Sequence, residues 1–160
     1  MVIFDASSII HAWDNYPKDQ FPPLWNWLSV QIDLDRVIIS QIAFDEVIKK
    51  SPDCGNWLKE KEIQRVKVSS EILSEALRIK GLLGIEDDNY HSKGVNENDI
   101  LIIATAKLTD RKLISNEGVQ YTLPDKLSKC KIPAVCNLQS VQVDVCNFID
   151  YLRQSGAVFN

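Results

Sequence analysis

Short apolar runs alternate along the chain with longer stretches whose apolar residues recur every three or four positions. The first run is VIF at positions 2 to 4, and ASSIIHAWDNYP after it has the spacing of a short helix that Pro17 closes. FPPLWNWLSVQID restarts with prolines suited to a first helical turn, and Leu24, Trp25, Leu28 and Ile32 share one face. RVIIS is a short apolar stretch ending in Ser40, a good N-cap for QIAFDEVIKK, which puts Glu46 in the second turn of that helix. Pro52 with DCGNWLKEKE predicts another short helix. IQRVKVS alternates as a strand does, with a continued helix as the other reading.

SSEILSEALRIKGLLG carries a broad apolar stripe of Ile72, Leu73, Ala76, Leu77, Ile79 and Leu83, with Gly84 as its stop. The polar stretch IEDDNYHSKGVNEN reads as a loop, where an active-site lid or a partner contact would sit. DILIIATAKL is apolar around most of its circumference and predicts a helix buried on several sides. Asn96 and Asp99 stand three apart, close to a capping-box spacing that places Asp99 in the first turn. KLIS is a short strand and NEG a turn, so Glu117 falls just past a strand end, as Asp5 does. IPAVCNLQ, VQVDV and CNFIDYLRQSG read as a short helix, a strand and a closing helix before Gly156. There is no repeat and no low-complexity segment. The alternation predicts an α/β fold, a three-layer sandwich with a mostly parallel central sheet, whose sites form outside the carboxyl ends of the strands.

At 160 residues with no linker composition, the chain is expected to form one domain over positions 1 to 160. Its formal net charge of -4 argues against a protein that coats nucleic acid through a broad basic face, but not against an enzyme acting on nucleic acid. Basic pairs such as Lys49 and Lys50, Arg111 and Lys112, and Lys129 and Lys131 are read as solvated faces. Cys54, Cys130, Cys136 and Cys146 form no CxxC pair and have only His11 and His91 for company, so buried thiols are expected rather than zinc ligands or disulfides. No apolar run approaches the ~20 residues of a membrane span, and the N-terminus lacks a signal-peptide pattern. No membrane association is expected, and the location expected is cytoplasmic.

Four acids share a context. Asp5 and Glu117 follow strands, Asp99 opens a buried helix, and Glu46 lies on a helix after an extended stretch. If they meet at one sheet edge, bare carboxylates ~4 Å apart repel by a few kcal/mol even at an effective dielectric near 20. Such a group makes sense when a divalent cation neutralises it, and hard oxygen ligands favour Mg²⁺ or Mn²⁺.

The order of an apolar strand before DASSI, a helical Glu in SQIAFDEVIKK, then NENDILIIATA and LISNEG resembles the PIN-domain superfamily of metal-dependent nucleases over nearly the whole chain. FPPLWNWL, GNWLKEK, CKIPAVC and FIDYLR resemble more closely an uncharacterised bacterial and archaeal branch, often discussed beside the VapC ribonuclease toxins. The resemblance implies that Asp5, Glu46 and Asp99 are metal-binding acids and that Glu117 occupies the fourth acidic position. Ser7 matches the small hydroxyl residue beside the first acid, and Ser115 the hydroxyl before the fourth. Glu117 stands where many PIN domains carry aspartate, which ranks it below the other three as a ligand. The implied activity is endonucleolytic hydrolysis of RNA leaving a 5′-phosphate, with no nucleophilic side chain required. The implied partners are RNA as substrate, an antitoxin protein if the chain is the toxin of a pair, and a second copy as a homodimer, although no interface stripe stands out.

Each acid alone has a structural explanation: Asp5 and Asp99 as helix caps, Glu46 as an ordinary helix residue. The four tryptophans read as core, and His11 as a partly buried helix residue. An integrin-type metal site lacks its second serine because position 9 is Ile9, and a haloacid-dehalogenase-like phosphatase needs an aspartate where Ser7 stands. The alternative of another class is a catalytically inactive PIN-like protein-binding module whose acidic pocket takes a partner's Arg or Lys.

Overall fold

β1 (Val2–Phe4) is apolar at every position, and successive strand residues point to opposite faces, so both faces of the sheet around it must be covered. All three residues are buried. The computed structural model describes residues 1–160 and sets five strands in the order β3-β2-β1-β4-β5, every neighbouring pair parallel. β1 is central, with Phe4 opposite Ile39 on one side and Ile114 on the other.

Parallel neighbours require crossovers, and helices supply them. α1 (Ala6–Asn15) and α2 (Pro22–Asp33) carry the chain from β1 to β2 (Val37–Ser40), and α3 (Gln41–Lys50) and α4 (Pro52–Glu60) carry it on to β3 (Arg65–Val66). α5 (Ser70–Leu82) and α6 (Glu97–Leu108) lead to β4 (Lys112–Ile114) on the other side of β1. A 3-10 turn (Leu127–Lys129), α7 (Ile132–Asn137), β5 (Val145–Cys146) and α8 (Phe148–Ser155) complete the fold. The chain therefore moves outward from β1 in one direction and then starts again in the other. That reversal opens a crevice at the carboxyl ends of β1 and β4, where open parallel sheets place their sites.

Local chemistry fixes the helix ends. The Ser40 hydroxyl accepts from the Ala43 N–H at 3.0 Å, and Asn96 with Asp99 forms a reciprocal capping box. Gly156 stops α8 at φ 69°. Trp13, Trp25 and Trp57 pack edge to face in the core, and the Trp25 indole donates to the Tyr16 carbonyl at 2.7 Å. The expected α/β sandwich is present.

Three expectations need correction. In α5, Ile72, Ala76, Ile79 and the flanking Leu83 are buried, but Leu73 and Leu77 are 49% and 59% exposed. This helix packs chiefly on α6, so its covered face is narrower than its apolar stripe. IQRVKVS pairs only at Arg65–Val66, and VQVDV only at its last residue, Val145, with Cys146. Both are edge strands with a neighbour on one side. Cys54, Cys130 and Cys136 are free, buried thiols as expected, whereas Cys146 on the edge strand β5 is free but only half-buried, and burial pushes the Cys54 and Cys136 thiols up to about 12. No helix is long and apolar enough to cross a membrane.

Candidate active site

Asp5 is the residue immediately beyond β1 and the N-cap position of α1, yet its side chain makes no capping bond. The backbone carbonyl does that work instead, accepting from the Ser8 hydroxyl at 2.8 Å and the Ser8 N–H at 3.2 Å. The carboxylate, only 3% exposed, turns the other way. Its Oδ2 accepts from the Ser7 hydroxyl and, at 3.0 Å, from the Ser115 hydroxyl. Each serine is oriented in turn by the loop after β4. Ser7 Oγ accepts from the Asn116 N–H at 2.9 Å and Ser115 Oγ from the Glu117 N–H at 3.3 Å. Asn116 Oδ1 accepts from the Phe148 N–H at 3.0 Å, tying the loop to the start of α8.

Every side-chain N or O atom fully closed off from solvent has a hydrogen-bond partner. Oδ1 of Asp5 has none, so that one oxygen of a buried carboxylate opens to the crevice.

The other acids lie close enough for their charges to couple to Asp5. Asp99 is half-buried at the first turn of α6, where its Oδ2 accepts from the Asn96 N–H at 3.0 Å and Oδ1 stays free. Glu46 lies on α3, with Oε1 paired to the Lys50 ammonium one turn later. Glu117 and Asp99 line one cavity of about 580 Å³, together with Lys93, Asn96, Gln120 and Lys131.

Their charges act on one another. Burial raises the Asp5 carboxyl above the usual carboxylate range against the pull of its two serines, and Glu46 and Glu117 push it further. Asp99 is pushed up to about 6, first by burial and then by Asp5, Glu117 and Glu46, with the Asn96 amide opposing. Lys50 is shifted in the complementary direction. Its hydrogen bond to Glu46 raises its pKa, and the charges of Asp5 and Asp99 add to it. All four acids picked out in the sequence thus share one field, and Ser7 and Ser115 both hold the first of them.

As they stand, no three His, Cys, Asp or Glu side chains form a group able to hold a metal ion. The donor chemistry nevertheless suits a hard divalent cation. Asp5, Asp99 and Glu46 each keep one carboxylate oxygen outside the hydrogen bonds that orient them, and the accumulated negative charge is partly neutralised by a lysine. Glu46 would join such a sphere through its free oxygen or by releasing Lys50, a rotamer change on a partly exposed helix face.

Four participants were not assigned to the site by the sequence reading, which put Lys50 and Lys131 on solvated faces. Lys50 was legible in principle, four residues after Glu46 on the same helix face. Asn116 lies between two residues that were named, and its role depends on Phe148. Lys93 and Lys131 come together through loop packing, which leaves no local signal.

The parallel sheet and the crevice beside β1 and β4 define an α/β sandwich protein with acids gathered at the carboxyl ends of its strands. The chain matches the family described as "Domain of unknown function (DUF4411)" over residues 2–159 and belongs to it. No curated protein matches. Among solved structures, the chain is similar to VapBC2 from Rickettsia felis bound to a DNA fragment from their promoter. That likeness has a TM-score of 0.53 at 15% identity, covering 92% of this chain and 98% of that one. It is also similar to a toxin-antitoxin complex from Klebsiella pneumoniae, with a TM-score of 0.47 at 16% identity over 73% of this chain and 87% of the other.

Proposed function

We propose that the protein is an endoribonuclease dependent on Mg²⁺ or Mn²⁺, with Asp5, Glu46 and Asp99 as metal ligands and Glu117 as a fourth acid behind them. The observation that carries this reading is Asp5: a buried carboxylate released from capping, gripped by two hydroxyls on one oxygen and open to the crevice on the other. Helix stability gives no reason for that arrangement. A bound divalent cation supplies charge neutralisation and acidifies a water for attack on phosphorus.

The side chains prepare the site for that ion. Ser7 and Ser115 lock the Asp5 rotamer. The Asn96 capping bond orients Asp99, whose carboxyl burial pushes up to about 6. Glu46 exchanges Lys50 for the ion, and no side chain is needed as nucleophile.

The PIN-like fold shared with VapBC2 supports a place as the toxin of a toxin-antitoxin pair. An antitoxin protein would cover the crevice or lay a basic side chain among the acids, and a homodimer belongs to the same reading. The test is a transcript-cleavage assay with Mg²⁺, Mn²⁺ or EDTA. Cleavage is expected with either ion, is absent in EDTA, and slows at least about hundredfold in Asp99→Asn, as loss of a metal ligand should cause. Full-rate cleavage in EDTA or by Asp99→Asn would end the proposal.

One observation favours a second reading. The Lys50 ammonium already sits on Glu46, so the pocket accepts a cationic side chain, as an inactive protein-binding module would require. Tight capture of an Arg- or Lys-bearing partner by a protein that binds no Mn²⁺ would decide for the module.

A further inference from the structure

We infer that a hollow between the α1–α2 turn and the end of α4 is a binding site for a phosphate monoester that also carries hydroxyl groups, as sugar phosphates and nucleotides do. It lies beyond the far end of α1 from Asp5, and that helix of ten residues is ~15 Å long. The inference therefore concerns a second site and does not depend on the nuclease reading.

Local structure builds the hollow from two sides. After α1 ends, the Pro17 carbonyl accepts from the Gln20 and Phe21 N–H groups, both at 3.0 Å, in a turn that leaves Lys18 and Asp19 exposed. Across from it, the Lys61 N–H donates to the Trp57 carbonyl at 3.0 Å and Glu62 turns the chain at φ 54°, which leaves Lys61 half-buried at the end of α4. Between the two sides Trp25 and Trp57 stand edge to face, with ring centroids 4.9 Å apart. The volume enclosed is about 380 Å³, within the roughly 300–1,000 Å³ of small-molecule sites.

The polar groups around this space are unspent. Trp25 uses its indole N–H on the Tyr16 carbonyl at 2.7 Å, but the Trp57 N–H has no partner within the protein, although the residue is only 5% exposed. Every side-chain N–H fully closed off from solvent has a partner, so the Trp57 N–H is open, and the hollow that Trp57 lines is what it opens to. Lys18, Asp19 and Lys61 line the same space and belong to no ion pair.

These groups define the ligand by what each can hold. Two ammonium groups and one indole N–H match the three terminal oxygens of a phosphate monoester, which carries about −1.5 to −2 charges at pH 7. A phosphodiester in a nucleic-acid backbone offers only two such oxygens. Asp19 repels a bare anion, and together with Asn26 it can accept from hydroxyl groups, so a hydroxylated ester suits the hollow better than inorganic phosphate does. Trp25 and Trp57 put an apolar floor under its carbon skeleton.

The test is calorimetric titration of the full chain with glucose 6-phosphate and with AMP, each compared with inorganic phosphate and with its unphosphorylated parent, glucose or adenosine. Saturable binding of at least one ester is expected, at least about tenfold tighter than inorganic phosphate or the parent. Binding of glucose 6-phosphate alone makes the ligand a sugar phosphate, and binding of AMP alone makes it a nucleotide. Lys18→Ala with Lys61→Ala is expected to weaken binding at least about tenfold, and Trp57→Phe, which keeps a ring and removes the N–H, at least about fivefold. Asp19→Ala should narrow the preference for the ester over inorganic phosphate.

No binding of either ester, equal binding of inorganic phosphate or of the parent, or full affinity in the lysine variant or in Trp57→Phe would overturn the inference. The lysine variant alters only side chains without ion-pair partners, so its lost affinity is not a lost fold, and circular dichroism checks that for both variants.

Discussion

The two ends of the sheet enclose cavities of similar size and use charge in opposite ways. At the amino end, a cavity of about 600 Å³ is bordered by Lys107, Arg111 and Lys112, and every one of these cations is committed to the fold. Lys107 donates to the Val141 carbonyl at 2.6 Å, Arg111 to the Asp35 carbonyl at 2.9 Å, and Lys112 to Gln154 at 2.7 Å while pairing with Asp144 at 3.2 Å. At the carboxyl end, burial and the charges of Glu46 and Glu117 raise the proton affinity of Asp5 and Asp99. Lys93 and Lys131 line a cavity with Asp99 and Glu117 and form no ion pair. Cavity volume does not separate a site from a packing gap here. Unspent charge does, because like charges held together in a folded chain cost stability and persist where something outside the chain repays them.

The largest contrast should come from matched substitutions at the two ends. Asp5→Asn keeps the shape and one acceptor oxygen for Ser7 and Ser115 but removes the charge, so RNA cleavage should fall at least about hundredfold, measured as initial rate in Mn²⁺. In the same variant, stability without metal at neutral pH should rise by on the order of 1 kcal/mol in a urea titration, because a buried anion has been removed. A variant that loses activity by losing stability would give the opposite sign.

Divalent ions should act in the same direction as that neutralisation. Mn²⁺ at about a hundred times its dissociation constant should stabilise the wild type against thermal unfolding by about 2.7 kcal/mol and leave Asp5→Asn/Asp99→Asn close to its metal-free midpoint.

The next effect is the pH dependence of the metal-free protein. Asp99 has a folded pKa of about 6, above its ordinary 3.8. A folded acid with a raised pKa binds its proton more tightly than the unfolded chain does. Its contribution is therefore fully present below pH 3.8 and is lost as pH rises to about 6. Asp5 shifts in the same direction. Acidification from pH 7 toward 5 should stabilise the metal-free chain by on the order of 1 kcal/mol through Asp99, and Asp99→Asn should flatten that slope. Mn²⁺ affinity should run the other way, weakening as Asp99 takes up its proton. At the amino end, Lys112→Ala should cost about 1 kcal/mol, for an ion pair to the exposed Asp144 and a hydrogen bond to Gln154, and leave cleavage unchanged.

Much of this contrast was legible in the sequence where chemistry is local. Ser40 as a cap, Asn96 with Asp99 as a capping box and Asp5 just past an apolar strand follow from neighbouring residues alone. The α/β sandwich follows from their alternation. What stayed hidden depends on distant parts of the chain. That Asp5 refuses its cap is decided by Ser115, and Ser115 reaches Asp5 only because β4 pairs with β1. Leu73 and Leu77 share the spacing of buried residues, and only the number of helices covering α5 exposes them. The edge strands are short because each has one neighbour, a property of sheet order. Lys93 and Lys131 meet through the close approach at Gly94.

Calorimetric titration of Mn²⁺ into the wild type and Asp5→Asn at pH 7.5 tests the central claim most directly. Saturable binding by the wild type, with heat that disappears in Asp5→Asn while both proteins stay folded by circular dichroism, is the predicted result. Equal Mn²⁺ binding by the two proteins, or none by the folded wild type, would contradict it.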